Sequence, residues 1–116
     1  MESYEGAERR EYRRVPSNLV VGYRRWESRE GVAFTQPSDV SQGGLRLHTD
    51  RSYTLGTRLD VSLRPTPQAP PVKVSGQVLA SREVVAEAIY DTRLRFTDLD
   101  AMSLYAIGEY IRMAGP

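Results

Sequence analysis

Residues 58–64 alternate without a fault: Leu59, Val61 and Leu63 are apolar, while Arg58, Asp60, Ser62 and Arg64 are polar. A period of two puts one set of side chains on each face of a pleated strand, so this stretch is a half-buried strand and not a helix. The same period recurs along most of the chain. Leu19, Val21 and Tyr23 alternate with Val20, Gly22 and Arg24, and Leu45 and Leu47 alternate with Arg46 and His48. Val72, Val74, Gly76, Val78 and Ala80 alternate with Lys73, Ser75 and Gln77, with a bend placed at Gly76. Ala88, Tyr90, Leu94 and Phe96 take one face of a last strand, and Arg93 and Arg95 the other.

With residues 32–36 these make six strands. Ser28, Arg29, Glu30 and Gly31 form a reversing turn, and Pro65, Pro67, Pro70 and Pro71 cannot sit in a central strand and so mark a loop. Residues 39–44 read as a turn between strands. After Phe96 the period becomes helical, with Thr97 or Asp98 as N-cap and Asp100 completing a box from Thr97. Leu99, Met102, Ala106 and Tyr110 fall on one stripe, with Leu104, Ile107 and Ile111 beside it. The expected fold is all-β: a six-stranded antiparallel barrel closed by a C-terminal α-helix.

A chain of 116 residues with 40% hydrophobic content supports one core. Residues 1–13 have no apolar periodicity, and six of the seven from Glu8 to Arg14 are charged. The organisation expected is therefore a flexible Arg-rich arm over 1–13 and a barrel domain over 14–116. Val15, biased to extended backbone by Pro16, opens the first strand.

Composition removes several function classes. Cysteine is absent, so there is no disulfide, thiolate nucleophile or thiolate metal site. The single histidine, His48, stands on an outward strand position without a base partner. No nucleophile–base pair, metal-ligand spacing or phosphate-cradling glycine loop is present, so no catalytic or metal residue is expected and the chain is not read as an enzyme. No apolar run approaches the ~18 residues of a membrane helix, and the N-terminus lacks a signal-peptide core. The expectation is a cytoplasmic protein without membrane insertion. A net charge of +1 argues against coating long nucleic acid, and only Phe34 and a few tyrosines offer stacking faces for a single strand.

Two polar motifs remain. Glu8-Arg9-Arg10-Glu11-Tyr12-Arg13-Arg14 supplies planar guanidiniums that grip phosphates bidentately and lie flat on bases. Asp39-Val40-Ser41-Gln42-Gly43-Gly44 supplies a carboxylate, a hydroxyl and a glycine-permitted turn. Fifteen of the sixteen basic residues are arginine and only Lys73 is lysine, so placement says more than number.

Arg10-x-x-x-Arg14 before Val15, then Asp39-x-Ser41-x-x-Gly44-Leu45, inside a small six-stranded barrel, resembles the PilZ domain family over nearly the whole chain. The resemblance implies a bacterial receptor for cyclic di-GMP, with the arginines wrapping over the ligand and the second motif forming a guanine-binding shelf. Arg9 and Arg13 share the spacing of Arg10 and Arg14. The latter register is preferred because Arg14 directly precedes the apolar residue that opens the strand. Arg9 then stands just before the motif, where an arginine in this family goes with two stacked cyclic di-GMP molecules per site. The ligand-binding set implied is Arg9, Arg10, Arg14, Asp39, Ser41 and Gly44.

The chemistry of the ligand agrees. Guanine presents N7 and O6 to a bidentate arginine, worth about 1–3 kcal/mol of discrimination, and Asp39 accepts from the N1–H and N2–H edge. Ser41 bridges a base or phosphate, and Gly44 adopts positive φ or admits the ligand close to the backbone. One departure from the family stands out. Many members carry a glycine in the last strand, and residues 90–96 have none, which places Asp91 and Thr92 where they repel or crowd an anionic ligand. Arg46, Arg93 and Arg95 line the ligand face or the plain exterior. The functions in play are a stand-alone cyclic di-GMP receptor signalling through an unidentified effector protein, and a PilZ-like interaction module without useful nucleotide binding.

Overall fold

The computed structural model describes residues 19–114. The arm expected over 1–13, the strand opening at Val15, and Arg9, Arg10 and Arg14 lie outside the described residues. Among the described residues, seven strands form one antiparallel sheet: β1 (Val20–Arg25), β2 (Ala33–Thr35), β3 (Pro37–Ser41), β4 (Gly44–Thr49), β5 (Arg58–Arg64), β6 (Val72–Val85) and β7 (Ile89–Thr97). Their spatial order is β2-β1-β5-β6-β7-β4-β3, and the sheet curls until β2 lies beside β4 across the remaining gap. The inward residues of the alternating runs meet in one core, in which Val21, Leu45, Leu47, Leu59, Leu63 and Leu94 are buried. Helix α1 (Ala101–Ala114) closes the barrel and inserts Ile107 into that core.

The all-β barrel with a C-terminal helix is as expected, with seven strands in place of six. The added strand is β3, in which Val40 pairs with Leu45 and Ser41 with Gly44. Pro37, Ser38 and Asp39 are weak strand formers, so only Val40 advertised it. Strand β3 sits at the sheet edge, where a proline costs no ladder bond. Strand β6 also runs beyond Ala80, to Val85. Its register shifts fall between Val78 and Ala80 and between Glu83 and Val85, not at Gly76, which pairs regularly with Phe96. Each shift adds a residue that breaks the period and turns an apolar side chain outward, Leu79 at the first and Val84 at the second.

The helix begins later than the box from Thr97 implied. Thr97 still belongs to β7, and Asp98 takes a left-handed φ of 57° that turns the chain out of the sheet. Asp100 is the N-cap: its Oδ1 accepts the Ser103 N–H at 2.7 Å and its carbonyl accepts the Leu104 N–H. The buried stripe centres on Ile107, with Leu104, Tyr110 and Ile111 half-buried around it. Met102, placed with the inward stripe by sequence, is 83% exposed. It stands five residues from Ile107, about 140° around the helix.

The interior also holds a chain of hydroxyls with one consistent direction. Thr49 gives its proton to the Arg51 carbonyl at 2.8 Å, so it accepts from Thr92 across 2.9 Å. Thr92 then accepts from Ser81, also across 2.9 Å, and Ser81 accepts the Tyr53 N–H at 3.1 Å. Every member donates once and accepts once, which lets these groups be buried. Thr92→Val keeps the shape and removes the central link. Stability is expected to fall by about 1–3 kcal/mol, read as a lower urea midpoint at unchanged slope.

Candidate functional site

The 39–44 motif is the β3–β4 hairpin, turning through Gln42 and Gly43. Ser41 is only 4% exposed. Its Oγ accepts the Gly43 N–H at 3.1 Å and donates to the Gly44 carbonyl at 3.4 Å, so the hydroxyl is part of the turn. Gly44 is not in the left-handed region. A Cβ on it would lie 2.1 Å from the Leu94 carbonyl oxygen, so glycine is required by the approach of β4 to β7 and not by a positive φ. Gln42 ties the turn to the helix, donating to the Leu104 carbonyl at 3.1 Å and packing against Gly108.

This anchored hairpin carries Asp39 on the outer face of the sheet. The strand register then sets Asp39, Arg46, Arg93 and Ala80 in one row across four strands. Neighbouring rows hold Gly44, Arg95 and Gln77 on one side and His48, Asp91 and Arg82 on the other. All three arginines whose placement the sequence left open therefore share the face of Asp39. Pairing, not pattern, brings them there.

Their partners differ. The Arg46 Nε donates to both carboxylate oxygens of Asp91 at 3.0 and 3.1 Å, and its Nη2 lies 2.9 Å from Oδ2. Arg82 adds a contact of 3.4 Å to the same carboxylate, whose side chain is only 8% exposed. The hydrogen bonds from Arg46 hold the Asp91 carboxyl below its ordinary range, against the opposing effect of burial. The Arg46 guanidinium is raised in turn, chiefly by Asp91, with a contribution from the charge of Asp39. Arg95 donates to the Gln77 side-chain oxygen at 2.8 Å. Arg93 is exposed and has no hydrogen bond or ion pair with any described residue.

The missing glycine of the last strand has a different consequence from the one expected. Thr92 points into the barrel, fully buried in the hydroxyl chain, and so crowds nothing outside. Asp91 points outward, but its charge is taken up by Arg46 and Arg82. A separate cavity of about 490 Å³ opens on the outer face of β1, β5 and β6, lined by Gly22, Arg24, Asp60, Ser62, Lys73 and Ser75 among others. It includes no motif residue. Among the described residues there is no cluster of three or more His, Asp or Glu side chains able to hold a metal, and no helix long and apolar enough to cross a membrane.

The PilZ domain model matches residues 8–112, so the chain belongs to the PilZ domain family. The match takes in both the arginine stretch and the hairpin motif. Among solved structures, the chain is similar to the Bacillus subtilis inhibitor of motility MotI/DgrA, with 19% identity and a TM-score of 0.70 over 92% of this chain and 51% of that one. It is similar to the PilZ domain of Escherichia coli YcgR, solved with c-di-GMP, with 12% identity and a TM-score of 0.69 over 91% of both chains. It is also similar to the K. pneumonia MrkH–c-di-GMP complex, with 14% identity and a TM-score of 0.67 over 92% of this chain and 52% of that one. The chain thus spans about half the length of MotI and of MrkH, and at these identities the likeness is one of fold. A search of curated proteins finds no match.

Two outcomes test this geometry. Gly44→Ala has no room beside the Leu94 carbonyl, so it is expected to part β4 from β7 and lower the melting temperature by far more than an alanine at exposed Arg29. Circular dichroism during heating reads both. Asp91 has a folded pKa below the ordinary value of about 4, so its stabilising contribution is complete above that pH and is lost as pH falls through the depressed value. Asp91→Asn is expected to melt lower than wild type at neutral pH and to show a flatter decline on acidification below about pH 4.

Proposed function

We propose that this chain is a cyclic di-GMP receptor whose bound state is passed to a partner protein in the cytoplasm. The observation that carries the reading is the row Asp39–Arg46–Arg93, a carboxylate beside guanidiniums on an outer sheet face built by the PilZ hairpin motif. Asp39 accepts from the N1–H and N2–H edge of a guanine. Arg10 and Arg14 wrap over the ligand and grip its phosphates, and Arg9 supports a second, stacked ligand molecule. Ser41 and Gly44 serve the site by building the turn that presents Asp39. The solved PilZ domain of YcgR and the MrkH complex, both with c-di-GMP, support the choice of ligand.

Arginines of the motif that close over a bound ligand change the surface a partner meets, which suits a receptor rather than a catalyst. The outward side of α1 exposes Met102, Tyr105 and Met113, apolar area that favours output by protein contact.

Calorimetric titration with cyclic di-GMP tests the proposal, with Arg10→Ala/Arg14→Ala and Asp39→Ala variants and GTP as control. The expected result is saturable binding near two ligands per chain at roughly micromolar affinity, about −8 kcal/mol. Binding should be lost in the double variant, weakened in Asp39→Ala and absent with GTP. No heat from the wild type at tens of micromolar ligand would leave a PilZ-like interaction module without nucleotide binding.

A further inference from the structure

We infer that Arg93 is a specificity-determining residue of this site, reading the O6/N7 edge of the guanine whose N1–H/N2–H edge Asp39 holds. The inference rests on the cyclic di-GMP reading and adds to it a residue outside both sequence motifs. Arg93 stands directly opposite Arg46 in the β4–β7 pair and two residues from Arg95 on the same face. Like charges opposed across a sheet are destabilising. The wall offsets two of the three: Asp91 takes Arg46, and the Gln77 oxygen takes Arg95. Arg93 alone among them meets no acceptor among the described residues. An acceptor brought by a ligand completes the set.

Geometry selects which acceptor. Adjacent strands lie about 4.8 Å apart, so Asp39 and Arg93, two strands apart in one row, have backbones separated by about 10 Å. A guanine lying flat between them turns its N–H edge to the carboxylate and its O6/N7 edge to the guanidinium. That second edge is the bidentate target arginine prefers. On the far side of Arg93 the row continues with Ala80, and the register shift beside it carries Leu79 out of the pairing. Alanine carries no side-chain acceptor, so nothing on that side competes with a ligand for the guanidinium.

The test is titration of the full chain with cyclic di-GMP and with its 7-deaza-guanine analogue, which lacks the N7 acceptor. Wild type, Arg93→Ala, Arg93→Gln and Arg29→Ala are compared; Arg29 is an exposed cation with no ion pair among the described residues. Arg93→Ala and Arg93→Gln are each expected to weaken cyclic di-GMP binding at least tenfold and to shrink the penalty for the analogue, while Arg29→Ala changes neither. Gln keeps the stem of the side chain, so agreement between the two substitutions excludes a packing defect. Wild-type affinity in both Arg93 variants, or an analogue penalty equal to that of wild type, would overturn the inference while loss of binding in Arg10→Ala/Arg14→Ala upholds the receptor. Absence of cyclic di-GMP binding by the wild type would remove the receptor reading and this inference with it.

Discussion

The pleat of β7 is the constraint on which the site depends. Its even-numbered residues Thr92, Leu94 and Phe96 enter the barrel, and its odd-numbered residues Asp91, Arg93 and Arg95 leave it. A slip of one residue would expose the core side chains and bury three charges, so the register is strongly specified. Strand β7 is paired on both sides, to β6 and β4, and Leu94 and Phe96 pin it from within. The hydroxyl chain through Thr92 adds a directional lock, because its bonds are made only when Thr49, Thr92 and Ser81 face one another. With that alternation set, a strand without the family's glycine still keeps Asp91, Arg93 and Arg95 on the outer face.

The hairpin motif divides its work in the same way. Ser41 and Gly44 point their chemistry into the turn and the neighbouring backbone, and Gln42 fastens that turn to α1 through the Leu104 carbonyl. What faces outward is Asp39. Ser41 and Gly44 thus build the turn that presents Asp39, which explains why spacing matters in a segment with few large side chains. A carboxylate held on so constrained a hairpin sacrifices little freedom when a ligand arrives.

The alternating runs made β1, β4 and β5 legible, because each has one face in the core and one outside. Strand β3 was hidden by its proline and serines, and the extension of β6 by two bulges that reset the period the pattern relies on. The inward position of Thr92 was in reach: the parity that placed Tyr90, Leu94 and Phe96 on one face includes it, and only its hydroxyl disguised it. The helix start was misread because Thr97, Asp98 and Asp100 are all capping residues, and only the backbone turn at Asp98 decides among them. In the candidate site, the turn over residues 39–44 was legible from its glycines, serine and aspartate. The clamp of Arg46 on Asp91 was not, since the two are far apart in sequence and meet only through the β4–β7 register.

That clamp also limits how the wall can respond to a ligand. Arg46 cannot leave Asp91 cheaply, because the carboxylate is almost wholly covered and would remain buried with only the longer contact from Arg82. A guanidinium so committed acts as a fixed positive field beside Asp39, whose charge it helps to balance. It contributes orientation and little new bonding. New charge-assisted bonds must come from guanidiniums that strand no partner when they turn toward an anion or a base edge. On the described face of the barrel Arg93 meets that condition, and the separation of one held arginine from one available arginine gives the wall both a rigid frame and a reactive point.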